Sequence, residues 1–212
     1  MTTKEKILKE ALSLFADNGY DGTSVEEIAN SVGIKAPSLY KHYKGKEDIL
    51  NALIDAAESR YEEYFGSENN VGTIPESKDE FVSVTMEKIR FTMRDPIIKK
   101  MRIFLVQEQF RSERLAEITT RHQFDGIQHM YVRILRDMVE DGLVIRDDPA
   151  ILAMELTAPA VLLISLADRQ PQCEEVYLKI IEKHIRHFCD TYMVNSNEKK
   201  VDQKCQTGEK HA

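Results

Sequence analysis

Residues 23–47 combine hydroxyl, lysine and aromatic side chains in an arrangement suited to contacting DNA. The segment reads TSVEEIANSVGIKAPSLYKHYKGKE, and its second half, from Lys35 to Lys46, contains four Lys and no Asp or Glu. Ammonium groups neutralise phosphates, whereas polar and aromatic side chains can contact base edges in the major groove. The segment therefore predicts recognition of double-stranded DNA.

Two short helices joined by a tight turn must position these side chains. Ser24 and Glu27 have the spacing of a capping box at the start of the first helix, and Gly33 can adopt the left-handed conformation that a sharp turn needs. Pro37 suits the first turn of the second helix, which we expect to end near Tyr43. An amphipathic helix before them completes a three-helix bundle.

The second helix of the pair needs one anchored face and one free face. Leu39 and Tyr43 can point into the bundle, while Tyr40 can offer its ring or hydroxyl to DNA. Thr23 and Ser24 can offer hydroxyl or backbone N–H groups to a phosphate at the start of the first helix. The remaining outward-facing side chains of the second helix are Lys35, Ala36, Ser38, Lys41 and His42.

The rest of the chain predicts an all-α protein. Apolar residues recur at helical spacing along most of its length, and no strand pattern occurs. Gly, Asn, Asp and Pro interrupt the pattern where helices should end. Beyond the bundle the predicted helices are 46–65, 78–94, 96–111, 115–141, 149–168 and 173–193, with a loop at 66–75.

The net charge of −7 requires the basic surface to be local. Residues 1–50 carry seven Lys against eight Asp and Glu, so most of the acidity lies farther along the chain. The N-terminus lacks the pattern of a signal peptide, and the longest apolar run, near residues 158–167, is interrupted by Pro159 and Ser165. These features predict a cytoplasmic protein with no membrane partner.

Helix–turn–helix spacing by itself also fits a small amphipathic hairpin with a solvated lysine face. The concentration of Lys, the paired aromatic residues and the absence of acids favour the DNA-binding interpretation. Residues 7–50 also resemble the DNA-binding domain of the TetR/AcrR family of transcriptional regulators. The positions that carry this resemblance are Ala11, Phe15, Gly19, Tyr20, Thr23, Ile28, Ala29, Gly33, Leu39, Tyr40, Tyr43, Lys46 and Glu47.

The resemblance implies a dimer that binds a palindromic operator and is released by a small molecule in its C-terminal domain. It also implies that Thr23, Ser24, Tyr43 and Lys46 grip phosphates. Many relatives begin the third helix with Ser or Thr where this chain has Lys35, which implies a weaker cap. The residues that would line the major groove are Lys35, Ala36, Pro37, Ser38, Tyr40, Lys41 and His42.

The sequence contains no motif that indicates an enzyme. A GxSxG elbow, a phosphate-binding glycine loop and a carboxylate–histidine zinc motif are all missing from it. His184 and His187 lie three residues apart, and His122 and His129 seven apart, but neither pair has a third ligand in view. We therefore predict no catalysis, no metal and no cofactor.

The middle helices are rich in Met and Phe, which is typical of an ordinary core but also of an adaptable apolar pocket. Glu108, Gln109 and His129 are candidates for its polar contacts. The predicted pocket residues are Met86, Ile89, Met101, Phe104, Glu108, Phe124 and His129.

The segment ILAMELTAPAVLLISL, residues 151–166, is apolar almost all round and must be buried on several sides. With the last helix it predicts half of a four-helix homodimer interface, and a purely intramolecular core helix is the other interpretation.

The predicted organisation is an N-terminal helix-turn-helix DNA-binding domain at 1–47, a larger helical ligand-binding and dimerisation domain at 48–194, and a disordered tail at 195–212. We expect a ligand-responsive repressor that binds a palindromic operator and is released by a small apolar or amphipathic effector. The alternative is a DNA-binding adaptor whose C-terminal domain binds a protein partner.

Overall fold

The computed structural model describes residues 1–65 and 74–194. Helices dominate these residues, and the only extended pairing among them is one isolated bridge between Val144 and Met193. The all-α prediction is confirmed. The predicted disordered tail at 195–212 and most of the predicted loop at 66–75 lie outside the described residues. Helices α1 to α10 are Thr3–Asn18, Val25–Val32, Ala36–Leu39, Lys46–Phe65, Lys78–Arg94, Pro96–Glu108, Glu113–Thr120, Gly126–Glu140, Pro149–Arg169 and Glu174–Tyr192.

Local sequence signals set the ends of the first helices. Capping boxes start α1 at Thr2 and Glu5 and α2 at Ser24 and Glu27, so backbone N–H groups that lack helical partners are satisfied. Gly33 ends α2 with φ 80°, which supplies the left-handed turn that the sequence predicted. These caps fix the angle at which the chain enters and leaves α2.

Helix α3 is shorter than predicted. Lys35 occupies its N-cap position without a side-chain cap hydrogen bond, as the departure from the family pattern implied. The regular helix ends at Leu39, and tighter bonding follows, in which both His42 N and Tyr43 N donate to the Leu39 carbonyl. The backbone thus keeps turning as far as Tyr43, but not as a regular α-helix.

One apolar core joins α1, α2, α3, α4, α6 and α7. Ile7, Phe15, Ile28 and Leu39 are fully buried in it, and the Phe15 ring stacks on Phe104 of α6 with centroids 5.6 Å apart. Burial of side chains of this size contributes roughly 1.5–3 kcal/mol each. The first three helices therefore share their core with helices that come later in the chain.

Two compact units make up the described residues. The first contains residues 1–65 and 88–126, and the second contains residues 74–87 and 127–194. The predicted functional division between residues 47 and 48 stays a prediction.

The segment 113–140 is one continuous helical stretch, but it is not uniform. Where the sequence predicted a single helix at 115–141, a π-helical turn at Arg121–Asp125 separates α7 from α8. The N–H of Gly126 closes this turn by donating to the Arg121 carbonyl. The extra residue in the turn changes the direction of the side chains around it.

In the second unit, α9 packs against α10. Phe81 of α5 stacks on Phe188 of α10 with centroids 6.3 Å apart. The residues after α10 return to the loop that follows α8, where Val194 N donates to the Leu143 carbonyl. The second unit is therefore held together by core packing and by the backbone hydrogen bonds of its C-terminal residues.

Helix α9 corrects one expectation. At 21 residues it is long and apolar enough to cross a membrane by length and composition, although the sequence was expected to contain no such run. Pro159 and Ser165 lie within the helix and do not end it. An apolar core helix meets the same criteria.

Asp95, the residue between α5 and α6, connects α6 to α4 in the first unit. Asp95 caps α6 by accepting from Ile97 N and Ile98 N, and it accepts from Arg60 Nε of α4 at 2.6 Å. Burial raises the pKa of Asp95, but the hydrogen bonds from Arg60 and the two backbone amides outweigh it and leave the pKa below its ordinary value. A lowered carboxylate pKa means that ionised Asp95 stabilises the fold.

Asp95→Asn should lower the free energy of unfolding by about 1 to 2 kcal/mol at neutral pH, because a charge-assisted hydrogen bond is lost while the capping oxygen remains. The difference from wild type should shrink as the pH falls through the folded-state pKa of Asp95, where the wild-type carboxylate takes up a proton. Urea unfolding of both proteins at several pH values measures this difference in the free energy of unfolding.

Asp79→Asn is the matched control, because exposed Asp79 pairs with Arg186 at the surface. Asp79→Asn should lower the free energy of unfolding by less than about 0.5 kcal/mol. Equal losses in the two variants, or a difference for Asp95→Asn that does not change with pH, would contradict the role given to Asp95.

Candidate nucleic-acid interface

Helix α3 and the turn after it present a polar, basic and aromatic face. Lys35, Pro37, Lys41 and His42 are exposed, and Tyr40 is 50% exposed. Ala36 and Ser38, which the sequence also predicted to face DNA, are half-buried, and Ala36 packs against the core. The structure thus brings the five exposed residues of the predicted set together on one surface, and the groove contacts of all seven stay a prediction.

Leu39 and Tyr43 hold this segment against the core on its other side. Leu39 is fully buried and Tyr43 is 3% exposed. The hydroxyl of Tyr43 is buried and has no hydrogen-bond partner among the described residues, and Lys4 Nζ lies 5.4 Å from the centre of its ring. Burial raises the pKa of Tyr43, so the hydroxyl stays protonated and keeps a proton to donate.

Thr23 has a structural position that the sequence did not predict. The side chain is 1% exposed, and its hydroxyl lies within hydrogen-bonding distance of the carbonyls of Gly19, at 2.9 Å, and Leu14, at 3.2 Å. A hydroxyl has one proton to donate. The Thr23 hydroxyl is therefore committed to the end of α1, and the predicted phosphate contact through this residue stays a prediction.

Ser24 is exposed, and its hydroxyl and backbone N–H are both engaged with Glu27. Glu27 Oε2 accepts from Ser24 N at 2.7 Å and from Ser24 Oγ at 2.9 Å, while Ser24 Oγ accepts from Glu27 N at 3.2 Å. These hydrogen bonds, first the one from the Ser24 backbone, lower the pKa of Glu27. A phosphate at this helix start would have to share donors with an ionised carboxylate.

Lys46 holds the turn before α2 from the first residue of α4. Its ammonium donates to the carbonyl of Tyr20 at 2.6 Å and to that of Thr23 at 2.9 Å, and it lies 4.3 Å from the centre of the Tyr20 ring. Two of its three protons are therefore used inside the protein. Lys46 fixes the start of α2 relative to α4 whether or not it also contacts DNA.

The residues predicted to line a ligand pocket are not all brought together. Ile89, Met101, Phe104, Glu108 and Phe124 belong to the first compact unit, whereas Met86 and His129 belong to the second. Met101 and Phe104 lie in the core that packs against α1, and Phe124 is 45% exposed. The predicted ligand contacts of all seven residues stay a prediction.

Glu108 is buried beside the end of α1. It accepts a hydrogen bond from Arg111 Nη1 at 3.1 Å, and a Cβ atom added to Gly19 would lie 2.8 Å from its Oε1. Gly19 also has φ 77°, in the left-handed region. A side chain at position 19 is thus disfavoured by both the backbone and the carboxylate.

Sequence reasoning missed an aromatic cluster in the first unit. Its members come from α4, α5 and the π-helical turn, and the available signal was the spacing of three aromatic residues at the end of α4. The cluster consists of Tyr61, Tyr64, Phe65, Phe91 and His122.

In the described part of the chain, no group of three or more His, Cys, Asp or Glu residues could hold a metal ion. His184, one of the histidines considered for such a site, has its Nε2 3.1 Å from the carbonyl of Leu156.

Comparison with known proteins adds to this geometry. The profile described as "Bacterial regulatory proteins, tetR family" matches residues 7–53. IcaR of Staphylococcus epidermidis, named a negative transcriptional regulator of the biofilm operon icaADBC, is 46% identical over 52 residues, which is 24% of this chain and 28% of IcaR. IcaR of Staphylococcus aureus is 28% identical over 123 residues, 58% of each chain. The match thus spans less than two thirds of these relatives.

Solved structures share the fold of most of the chain. SmeT, the repressor of the Stenotrophomonas maltophilia multidrug efflux pump SmeDEF, superposes with a TM-score of 0.68 at 18% identity, over 92% of this chain and 93% of SmeT. The SmeT–triclosan complex gives a TM-score of 0.69 at 19% identity, over 92% and 94%. Residues 7–53 therefore match the tetR family of bacterial regulatory proteins, and the helical fold is shared with these solved regulators.

Proposed function

We propose that the protein is a ligand-responsive transcriptional repressor, which acts in the cytoplasm as a dimer on a palindromic operator and is released by a small apolar or amphipathic effector. One observation carries this proposal. The exposed face of α3 and its following turn is basic and aromatic, without an acid, and its buried residues are part of a core that α4 and α6 share. A reading surface is thereby rigidly connected to a helical body.

The relatives support the repressor role. IcaR is named a negative regulator, SmeT is a repressor, and SmeT has been solved with triclosan, a small molecule. Transferred to this chain, these properties agree with the exposed basic face of α3.

We assign base reading to Tyr40 and Lys41, and sequence-independent affinity to phosphate contacts such as that of Lys46. Tyr40 and Lys41 point away from the core at the centre of the surface, where a major groove would receive them. Phosphate contacts position a protein on DNA without carrying sequence information, whereas base contacts specify the sequence. Substitutions should therefore separate the two roles.

Lys41→Ala and Tyr40→Ala should each change operator preference as well as affinity. Selection from a random duplex library with the wild-type protein provides the operator, and repeating the selection with each variant shows which base positions relax. We expect a loss of roughly 1 to 3 kcal/mol of discrimination at one or two positions. Lys9→Ala, on α1, is the control and should leave the selected sequence unchanged. Equal loss of affinity on every sequence would contradict base reading.

Lys46 has two roles in this proposal. The ammonium holds the carbonyls of Tyr20 and Thr23, and its third proton remains for a phosphate. The first role places α2, and with it the turn that leads into α3. The second contributes to binding of any DNA sequence.

Lys46→Met keeps most of the aliphatic chain and removes the charge. It should lower the free energy of unfolding by about 1 to 2 kcal/mol and reduce the slope of log affinity against log salt by about one. Chemical denaturation and salt titration of operator binding measure the two effects.

Lys44→Met is the matched control in the same exposed segment and should leave the free energy of unfolding within about 0.5 kcal/mol of wild type. An unchanged salt slope in Lys46→Met would remove Lys46 from the phosphate contacts. Unchanged stability would remove its positioning role.

Dimerisation is assigned to α9 and α10, because a two-fold operator requires a two-fold protein. Large apolar side chains on both helices are exposed in the single chain, which disfavours a purely intramolecular role for them. These exposed residues are Ile151, Met154, Leu162, Val176 and Ile180.

Leu162→Glu should shift the protein from dimer to monomer, because Leu162 is 59% exposed on α9 and a carboxylate would be buried unpaired in the interface. Sedimentation equilibrium measures the mass, and operator binding should weaken in parallel. Ile145→Glu, at an exposed apolar position outside these two helices, is the control. A Leu162→Glu protein that remains fully dimeric would rule out this interface.

Release by an effector follows from unequal affinity for two arrangements of the dimer. If the effector binds better when the two reading surfaces do not match successive major grooves, its binding shifts the population toward that arrangement. Within the first unit, α4 contacts the turn before α2 through Lys46, and α6 contacts α1 through the stacking of Phe104 on Phe15. They are the elements through which such a change would act.

A further inference from the structure

Lys4 lies where the start of α1 meets the end of the turn that follows α3. It is exposed in the first turn of α1, and its Nζ lies 5.4 Å from the centre of the Tyr43 ring. Within the described ranges 1–65 and 74–194, no acidic side chain forms an ion pair with it. The sequence did not predict Lys4 to contact DNA, yet its positive charge lies beside the segment that was predicted to do so.

The acids closest to this place are held by other groups. Glu5, next to Lys4 in the chain, accepts from the backbone N–H of Thr2 at 2.8 Å as part of the capping box of α1. Asp48, in the first turn of α4, accepts from Lys44 N at 2.9 Å. Among the described residues, the Lys4 ammonium is thus left for an anion that comes from outside the chain.

Tyr43 gives a second, independent indication of an anion at this place. The residue is 3% exposed, and its hydroxyl has no hydrogen-bond partner among the described residues. Nearly all buried polar atoms in proteins are paired, so an unpaired one needs an explanation. Because the hydroxyl keeps its proton at neutral pH, an oxygen of a phosphate would be a suitable acceptor for it.

An anion that approaches Tyr43 also needs a cation. Burial first, and then the negative charge of Asp48, raise the pKa of Tyr43. The charge of Asp48 that disfavours a tyrosinate would also repel a phosphate at the same place. The Lys4 ammonium offsets this repulsion, since it lies against the ring that carries the hydroxyl.

At the start of α2, the predicted phosphate contacts compete with contacts inside the protein. The Thr23 hydroxyl lies 2.9 Å from the Gly19 carbonyl, and the Ser24 backbone N–H donates to Glu27 at 2.7 Å. Phosphate contacts fix the register of a protein on DNA, so a module with such competition gains from a contact elsewhere. The start of α1 can provide that contact.

The contact between Lys4 and Tyr43 can be exchanged for a stronger one. An ammonium over a tyrosine ring at an exposed position is a modest attraction, whereas a hydrogen bond between an ammonium and a phosphate is charge-assisted. Lysine carries its charge on a flexible four-carbon stem. The ammonium can therefore turn from the ring to a phosphate without movement of α1.

We propose that Lys4 is a DNA-backbone contact, whose ammonium moves from the Tyr43 ring to a phosphate that also accepts a hydrogen bond from the Tyr43 hydroxyl. Departure of the lysine from the ring opens the way for the phosphate to the buried hydroxyl. This inference rests on the proposed function, because it extends the DNA interface to α1. The contact carries no sequence information, so any duplex reveals it.

The test measures binding of the full-length protein to a fluorescein-labelled duplex of scrambled sequence, by fluorescence polarisation at several salt concentrations. Lys4→Met keeps most of the aliphatic chain and removes the charge. It should weaken binding about fivefold to tenfold at about 0.1 M salt and reduce the slope of log affinity against log salt by about one, because one phosphate contact is lost. An unchanged slope would overturn the proposal.

Lys6→Met is the matched control, because Lys6 is exposed on α1 and the same charge is removed two positions away, on a different side of the helix. It should leave the salt slope unchanged, and Lys4→Arg should keep most of the affinity. An equal loss in Lys6→Met would show an effect of net charge alone and overturn the proposal. Circular dichroism checks the fold, and Lys4→Gln replaces Lys4→Met if the latter does not fold.

Tyr43→Phe tests whether the two residues hold the same phosphate. It removes only the hydroxyl, and in its background Lys4→Met should weaken binding by only about twofold to threefold, since groups that share a partner are not additive. The full loss in both backgrounds would contradict a shared phosphate and overturn the proposal.

The scrambled duplex separates this inference from the proposed function. If binding depends on Lys4 as expected but selection finds no palindrome, the contact stands and the repressor proposal fails. If the protein selects a palindrome while Lys4→Met binds DNA like wild type, the repressor proposal stands and this inference fails.

Discussion

The buried ring of Phe15 is the contact on which the first compact unit depends. It lies near the end of α1, 5.3 Å from the ring of Tyr20 and 5.6 Å from that of Phe104. Tyr20 belongs to the turn that leads into α2, and Phe104 belongs to α6. One apolar side chain thereby connects the end of α1 and the turn before α2 to α6, in a core that is densely packed.

Polar contacts repeat this connection around the same turn. Lys46 holds the carbonyls of Tyr20 and Thr23 from α4, and the carboxylate of Glu108 lies against Gly19 from α6. The turn is thus fixed on two sides by elements that come later in the chain. In the proposed repressor, this is the place where an altered arrangement of α4 or α6 would change the angle of α2 and α3.

Features with local causes were predictable from the sequence. The capping box of Ser24 and Glu27, the left-handed Gly33 and the buried Leu39 all follow from residue types at short separations, and the structure confirms them. Features that depend on distant residues were not. The commitment of Thr23 to the carbonyls of α1 requires knowledge of the fold, because a hydroxyl suited to a phosphate is equally suited to a carbonyl.

The aromatic cluster of the first unit shows the same limit. Its rings come from α4, α5 and the π-helical turn, and an extra residue in a helix has no signature in apolar periodicity. The spacing of Tyr61, Tyr64 and Phe65 was visible, but their partners were not. Met101 and Phe104, which the sequence predicted for a pocket, lie in the core of the first unit, and their ligand contacts stay a prediction.

The buried hydroxyl of Tyr43 has no hydrogen-bond partner among the described residues of the DNA-free protein, whereas a bound phosphate could supply one. Burying a hydroxyl without a partner costs on the order of 1–3 kcal/mol, so phenylalanine would suit the isolated fold better. A phosphate that accepted this hydrogen bond would recover the cost at the moment of binding. The stability lost by burying this hydroxyl during folding would then be regained as binding free energy on DNA.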